Sequence, residues 1–184
     1  MTAGGPPLFD LDRVAAIARF DSAAEAVAAR LRGRPWLDRL GYAASEAGNF
    51  AAIWHVWAWA EALVLRRPGA VRRAVMTSSA LVAEAVLVNG VVKSRFRRRR
   101  PQSDERRPHR LRTPRSSSFP SGHASAAMVA AALATPASRP FVRVVGLLVA
   151  LSRVHVRIHH ASDVVGGLAI GALLGAVARR VLRR

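Results

Sequence analysis

Three short segments of the sequence combine residue types that could together bind and cleave a phosphate ester. They occupy positions 93–101, 120–123 and 152–163. Between them they contain cations, small residues, two histidines and an aspartate, namely Lys93, Arg100, Ser121, Gly122, His123, Arg153, His159 and Asp163.

The cations and small residues predict a site for phosphoryl oxygens. Lys93 and Arg100 are seven positions apart, so on a helix they project from one face. The guanidinium fork of Arg153 suits phosphate oxygens bidentately. Ser121 and Gly122 follow a proline and open a helix. Free backbone N–H groups at such a start attract anions, and glycine permits close approach.

The histidines predict a nucleophile and a proton donor. His159 and Asp163 are one helical turn apart, so the carboxylate can accept from one ring nitrogen and leave the other as nucleophile. His123 remains to protonate the leaving oxygen. Phosphoryl transfer without a metal needs these parts together with the cations.

A metal site is the alternative for the third segment. His155 and His159 are four positions apart, which puts two imidazoles on one helix face, with Asp163 as a third ligand. Three flanking cations would oppose the binding of a metal ion, so the interpretation without a metal is favoured.

Five apolar blocks separate the charged segments and predict the elements that position the site. Two blocks approach the length of about 20 residues that crosses a bilayer, and small residues recur through all five. We expect an all-α integral membrane bundle of about five transmembrane helices, the alternative being a soluble bundle with alanine-rich core helices. Alternating spans would gather the three segments at one membrane face. The blocks are 47–65, 74–92, 122–136, 141–152 and 164–178.

The N-terminal part differs from the apolar blocks. Residues 9–32 alternate charged and apolar side chains, which predicts an amphipathic helix that lies at the membrane interface. We therefore divide the chain into an N-terminal amphipathic segment, 1–40, and a membrane domain, 41–184.

Charge and composition restrict the partners of the chain. Half of the residues are hydrophobic, yet the formal net charge is +18 and cysteine is absent. Such a chain lies beside anionic molecules, and lipid head groups fit the apolar blocks. A non-enzymatic basic membrane protein that binds anionic lipid or nucleic acid is the distant alternative. The low aromatic content disfavours a nucleic acid partner.

The motifs resemble those of a known family. Lys93-x6-Arg100-Pro101, Pro120-Ser-Gly-His123 and Ser152-Arg-x5-His159-x3-Asp163 match, at all eleven positions, the signatures of the type 2 phosphatidic acid phosphatases. These enzymes share their site with vanadium haloperoxidases, so a vanadate-dependent peroxidase is a further alternative.

The resemblance implies a metal-independent phosphatase that needs no cofactor and forms a phosphohistidine intermediate. It implies that His159 is the nucleophile, that Asp163 orients it, and that His123 is the general acid and then the base. It assigns phosphate binding to five residues: Lys93, Arg100, Ser121, Gly122 and Arg153.

The expected substrate is a lipid phosphate whose tail stays in the bilayer. By analogy with short members of the family, the specific candidate is a polyprenyl-linked compound of cell-wall synthesis, decaprenylphosphoryl-5-phosphoribose. Phosphatidate, phosphatidylglycerophosphate and undecaprenyl diphosphate are the alternatives. The oligomeric state stays open.

The distribution of Lys and Arg predicts the orientation of a five-span chain. The side that holds the site carries 19 of these residues and the opposite side 10. Without Lys93, Arg100 and Arg153 the site side still carries 16. The chain is therefore expected in the cell membrane with its site on the cytoplasmic face.

Other polar residues receive less specific predictions. His55, Glu61 and Glu84 lie within apolar blocks and are expected to face the bundle interior in structural pairs. Asn89 could lie near the site, and Arg97 is undecided. Arg95, Arg98 and Arg99 are expected to supply a positive field at the membrane surface.

Overall fold

The computed structural model describes residues 11–101, 108–109, 111–114 and 116–182. In that part of the chain there are seven α-helices and no β-strand. The all-α prediction is therefore confirmed. The helices are α1 (Ala15–Leu31), α2 (Pro35–Ala47), α3 (Ala52–Leu65), α4 (Ala70–Val86), α5 (Gly122–Leu133), α6 (Arg139–His155) and α7 (Ala161–Val181).

Helix α4 continues beyond Val86 without a break in direction. A π-helical turn, Leu87–Val92, follows it, and a 3₁₀ turn, Lys93–Arg95, ends it. π-helical turns are rare and often occur at functional sites. Here the turn lies directly before Lys93.

Among the described residues, two helices are long and apolar enough to cross a membrane by length and composition. They are Ala70–Arg95, which is α4 with its extension, and α7, Ala161–Val181. Large apolar side chains on α3, α4, α6 and α7 point outward, including Val64, Val86, Val144 and Leu173, which are 67 to 77% exposed. Outward apolar faces are what a lipid environment requires of a bundle.

Helix α5 forms the centre of the bundle. Eight of its twelve residues are buried, and they include five alanines, Val129 and Leu133. It packs against α7, α6 and α4. Its small side chains let the neighbouring backbones approach closely, as membrane helices do.

A glycine stripe on α7 makes the contact with α5. A Cβ atom added at Gly167 would lie 2.3 Å from the carbonyl oxygen of Ser121, and one at Gly171 would lie 2.3 Å from that of Ser125. At Gly175 the added Cβ would meet Ala132 Cβ at 2.6 Å. These glycines therefore allow close helix packing, and the start of each helix is thereby fixed against the other.

The N-terminal part forms two helices where the sequence predicted one. The predicted beginning of the first, at Phe9, lies outside the described residues, and α1 runs from Ala15. A second helix, α2, begins with Pro35 at its first turn, a position that proline favours. Gly41 of α2 lies against the ring of His155 on α6.

Helix α1 turns a carboxylate toward the protein and leaves several apolar side chains exposed. Asp21 is its one fully buried residue, whereas Phe20 and Val27 are 49% and 59% exposed. An outward apolar face and an inward carboxylate suit a helix that lies against lipid while it contacts the domain.

Replacement of Gly171 by alanine tests the α5–α7 contact. We expect the free energy of unfolding to fall by about 1 to 3 kcal/mol, because the new Cβ meets backbone atoms that cannot rotate away. Thermal unfolding in detergent measures the loss. Gly90→Ala is the matched control, since nothing lies within 4 Å of its added Cβ. Equal melting temperatures for the two variants would contradict the contact.

Candidate active site

The three sequence segments meet at one end of the bundle. A cleft of about 690 Å³ is lined by Lys93, Gly122, His123, Arg153 and His159. The remaining predicted residues lie next to this group. Arg100 and Asp163 contact the ring of His159, and the backbone of Ser121 bonds to that of Asp163. All eight predicted site residues therefore lie together.

His159 lies in the turn between α6 and α7, buried at 3% exposure. Its backbone N–H donates to the carbonyl oxygen of Arg153, and Arg157, in the same turn, has a left-handed backbone with φ of 54°. Left-handed geometry is costly for a residue with a side chain and often marks functional sites. The turn fixes the position of the imidazole.

The tautomer of His159 follows from its neighbours. Arg100 Nη1 lies 3.3 Å from Nε2 of His159. Arginine can only donate, so Nε2 is the acceptor and carries a lone pair. The proton then lies on Nδ1, which is 3.5 Å from Asp163 Oδ2. That distance is longer than a normal hydrogen bond, and such contacts commonly tighten when substrate binds.

The environment of His159 favours the neutral ring. Burial, together with the charges of Arg153 and Arg100, lowers the pKa of His159 to about 3, although Asp163 acts in the opposite direction. A neutral imidazole with its lone pair at Nε2 is the form that can attack phosphorus.

Arg100 is surrounded by backbone carbonyl groups beside the cleft. It donates to the carbonyl oxygens of Pro114, Ile158, Ser116 and Ser117 at 3.0 to 3.3 Å. Burial lowers the pKa of Arg100 from its ordinary value. These bonds connect the loop before α5 to the turn that holds His159.

Helix α2 contacts two of the predicted site residues, Arg153 and His123, and so positions them. The hydroxyl of Ser45 accepts a hydrogen bond from Arg153 Nη1, and the carbonyl oxygen of Ser45 accepts one from His123 Nε2 at 3.1 Å. His123 thus carries its proton on Nε2, which leaves Nδ1 able to exchange a proton. The His123 ring also packs against Gly48.

The turn before α5 is held from two sides. The N–H of Ser121 donates to the carbonyl oxygen of Asp163 at 2.9 Å, and the buried Ser121 hydroxyl has no hydrogen-bond partner among the described residues. On the other side the amide of Asn89 lies 3.4 Å from the position of an added Cβ on Gly122. Asn89 therefore lies beside the site, as the sequence suggested it could.

Arg98 has a role that the sequence prediction missed. It was expected to contribute to a positive electrostatic field at the membrane surface. Its side chain is instead 3% exposed and pairs with two carboxylates. Nη1 donates to Asp163 Oδ1 at 2.7 Å, and Nη2 donates to Asp21 Oδ2 at 2.5 Å. The prediction for Arg98 was wrong, because its neighbours are supplied by distant segments of the chain.

Asp21 completes this buried network. Its Oδ1 accepts from the backbone N–H of Ser162, and its Oδ2 accepts from the Ser162 hydroxyl, both at 2.8 Å. The network Asp21–Arg98–Asp163 therefore joins α1 and the segment after α4 to the first turn of α7. Asp163 also accepts from the N–H of His160 at 2.9 Å, so both of its oxygens are held.

His155 does not lie with His159 and Asp163. It turns toward α2, where its Nε2 is 2.8 Å from Asp38 Oδ1. The described residues hold no group of three histidine or acidic side chains placed to bind a metal ion. The alternative of a metal site at these three residues therefore has no support in their positions.

Arg98→Lys tests whether the network positions His159. Lysine keeps the charge but cannot bridge two carboxylates with a planar fork. We expect kcat to fall roughly 10- to 100-fold with little change in KM, since small displacements of a nucleophile have effects of this size. Arg95→Ala is the control, because Arg95 is exposed. A wild-type kcat for Arg98→Lys would contradict the positioning role.

Comparison with known proteins agrees with this geometry. The model of the PAP2 superfamily matches residues 74–184. Decaprenylphosphoryl-5-phosphoribose phosphatase from two strains of Mycobacterium tuberculosis is 35% identical over 157 residues, which is 83% of this chain and 84% of the relative. A transmembrane PAP2-type phosphatidylglycerolphosphate phosphatase from Bacillus subtilis has the same fold, with a TM-score of 0.67 and 23% identity. The match covers 93% of this chain and 88% of the Bacillus protein.

The family match covers more than half of the chain, and the Mycobacterium relative covers most of it. Both descriptions name phosphatases, and the residues gathered in the cleft are those that hydrolysis of a phosphate ester requires. The chain therefore belongs to the PAP2 superfamily, as a phosphatase of lipid phosphates.

Proposed function

We propose that the protein removes a terminal phosphate from a polyprenyl-linked lipid, with decaprenylphosphoryl-5-phosphoribose as the specific candidate. The observation that carries the proposal is the course of the cleft. From His123 and His159 it continues along α4 past Val86 and Val82, which are 67% and 56% exposed on the outer face. A lipid tail in the bilayer can thus reach α4 while its phosphate lies at the histidines.

The first chemical step is attack by Nε2 of His159 on phosphorus. The P–N bond forms as the bond from phosphorus to the leaving oxygen breaks. In the described structure Arg100 donates to that Nε2, so we infer that phosphate draws the guanidinium onto its oxygens and frees the lone pair. Asp163 accepts a hydrogen bond from Nδ1 of His159 as positive charge develops on the ring.

His123 supplies the proton that the leaving oxygen requires. Its Nε2 stays bonded to the carbonyl oxygen of Ser45, so the proton leaves from Nδ1. Nδ1 carries no proton on the neutral ring, and His123 therefore first takes one up, as the bound phosphate brings negative charge beside it. In the second step the same nitrogen accepts a proton from water, which attacks the phosphohistidine and releases phosphate. Lys93, Arg100 and Arg153 hold the phosphoryl oxygens in both steps, together with the backbone at Ser121 and Gly122.

The substrate proposal rests on the named relative and on the shape of the cleft. Decaprenylphosphoryl-5-phosphoribose carries a phosphomonoester on a sugar that is joined to a long prenyl chain. A relative of that name matches this chain along most of its length. Phosphatidate, phosphatidylglycerophosphate and undecaprenyl diphosphate remain the alternative substrates, and phosphate release from a panel of purified lipids separates them.

His159→Ala should abolish phosphate release, because no other nitrogen is placed to form the covalent intermediate at this position. EDTA should leave the wild type active, since cations of the protein fill the role of a metal. Release of inorganic phosphate from the lipid panel measures both. The control His109→Ala changes an exposed ring that contacts Tyr42. Full activity of His159→Ala would refute the mechanism.

We further propose five membrane spans, formed by α3 to α7, with the site on the cytoplasmic face. The excess of Lys and Arg at the site end supports this orientation. Arg67 lies at the opposite end of α4 from Arg95, and both are exposed.

Single cysteines test the orientation cleanly, because the chain contains none of its own. In intact cells a membrane-impermeant maleimide should label Arg67→Cys and leave Arg95→Cys unlabelled until the membrane is opened. The reverse pattern would place the site on the outer face, and labelling of both would contradict the span count.

A further inference from the structure

Arg112 is a cation in the wall of the active-site cleft that belongs to none of the three motifs. It is exposed and lines the same cleft as Lys93, His123 and His159. Its guanidinium carbon lies over the ring of Phe50, 4.6 Å from the ring centroid. Among the described residues the guanidinium has no hydrogen-bond or ion-pair partner. The attack by His159 and the proton transfers by His123 leave this arginine without a role.

The chain on both sides of Arg112 is anchored beside the phosphate site. Leu111 packs against a buried apolar cluster on α2 and in the turn after α6. The carbonyl oxygen of Pro114 accepts a hydrogen bond from Arg100 Nε at 3.1 Å. Two residues span at most about 7 Å of chain, so the backbone of Arg112 lies only a short distance from Pro114. Arg112 is therefore held close to the cations that bind the cleaved phosphate.

The ring of Phe50 is presented by a strained piece of backbone. Phe50 has a left-handed φ of 55°, and Ala51 has one of 56°. This geometry is costly for a residue with a side chain, and it often marks functional positions. Phe50 is also 78% exposed, so burial of its ring does not offset the cost. Gly48, two residues earlier, packs against the ring of His123, which places Phe50 near the general acid.

Contact with the ring leaves the hydrogen-bond donors of Arg112 available. The attraction between a cation and an aromatic ring is electrostatic and consumes no N–H group. The planar fork of a guanidinium matches two oxygens of a phosphate group. An arginine that is held over a ring in the wall of a cleft is thus suited to bind an anionic part of the substrate.

The other charges of the cleft indicate that this part is not the cleaved phosphate. A phosphomonoester carries about 1.5 to 2 negative charges at neutral pH. Lys93 interacts electrostatically with Arg100 and Arg153, and these three cations meet that charge. Glu84 is an acid that interacts with Lys93 as well. Arg112 adds a further positive charge, which matches a second anionic group with a single charge.

The candidate lipids differ in whether they carry such a group. In decaprenylphosphoryl-5-phosphoribose and in phosphatidylglycerophosphate, a singly charged phosphodiester joins the lipid to a small polyol that bears the terminal phosphate. Phosphatidate has one phosphate only, and the two phosphates of undecaprenyl diphosphate are joined directly. A cation near the phosphate site but outside its motifs fits the first two lipids.

A role at the membrane surface is the competing explanation. Aromatic rings and arginines are common at the level of the head groups, so Phe50 and Arg112 could serve only to hold the protein there. Such a role acts on the protein and not on one part of the substrate. It would therefore change the turnover of every lipid by the same factor.

We infer that Arg112, held over Phe50, binds a phosphodiester that joins the lipid tail to the sugar or other polyol bearing the cleaved phosphate. The inference rests on the proposed function and deepens it, because it selects lipids that have a second phosphate one polyol away from the first. The guanidinium donates to the two charged oxygens of the diester while the terminal phosphate lies at His159.

The test compares two substrates in the full-length protein. One is a short-chain prenylphosphoryl ribose 5-phosphate, and the other is its analogue with a methylphosphonate in place of the diester, which has a similar shape and no charge. With Arg112→Gln, kcat/KM for the diester should fall about tenfold, near the lower end for hydrogen bonds to charged groups because Arg112 is exposed, and kcat/KM for the analogue should change less than about twofold. Equal losses on both compounds, or no loss on either, would overturn the inference.

Arg95→Gln is the matched control for a general effect of charge. Arg95 is exposed and is not one of the residues that line the cleft. If Arg112 acted only through a positive field at the surface, removal of Arg95 would lower turnover of the diester by a similar factor. We expect the ratio of the two substrates to stay at its wild-type value. A change as large as that of Arg112→Gln would overturn the assignment to Arg112.

Phe50→Leu tests whether the ring positions the guanidinium. Leucine keeps an apolar side chain but has no aromatic face. We expect kcat/KM for the diester to fall roughly two- to fivefold, the size of a cation–π contact at an exposed site, with the methylphosphonate unaffected. Equal losses on the two compounds would overturn the role of the ring.

Ligand-induced shifts of the melting temperature separate this inference from the proposed function. In His159→Ala, which binds without turnover, the diester should stabilise the protein more than the methylphosphonate, and the added Arg112→Gln substitution should remove that difference. Equal stabilisation by the two compounds before the second substitution would overturn the inference. Failure of the wild type to release phosphate from either compound would instead refute the proposed reaction.

Discussion

The buried network Asp21–Arg98–Asp163 is the interaction on which the site depends. Arg98 is almost completely removed from water, so its charge requires carboxylates close to it. The formal charges of two acids and one guanidinium leave one net negative charge, and Asp163 directs it toward Nδ1 of His159. The same network that holds three segments of the chain together therefore also favours positive charge on the ring of His159.

Close helix packing makes this arrangement possible. The glycines of α7 let its first turn lie against the start of α5, so that the backbone of Ser121 bonds to that of Asp163. The N-terminus of α5 lies in the wall of the cleft, where it carries a partial positive charge. Together with the nearby cations it favours the binding of an anion.

Local sequence patterns predicted the helices and the residues with fixed spacing. Lys93, His123 and His159 could be placed because each stands at the boundary of an apolar block, and alternating spans bring those boundaries together. Arg98 and Ser45 could not be placed, because their partners lie 65 to 108 positions away and no periodicity marks the pairing. In a run of similar arginines only the fold distinguishes the buried one from the exposed ones.

The N-terminal helices contribute more to the site than their composition indicated. The family model begins at residue 74, yet Asp21 holds the first turn of α7 and Ser45 holds Arg153 and His123. Arg32 also donates to the carbonyl oxygens of Val154 and His155 at the end of α6. Helix α1 thus contacts both helices that flank the His159 turn. The position of His159 is therefore coupled to α1 through Asp21, Arg98 and Asp163.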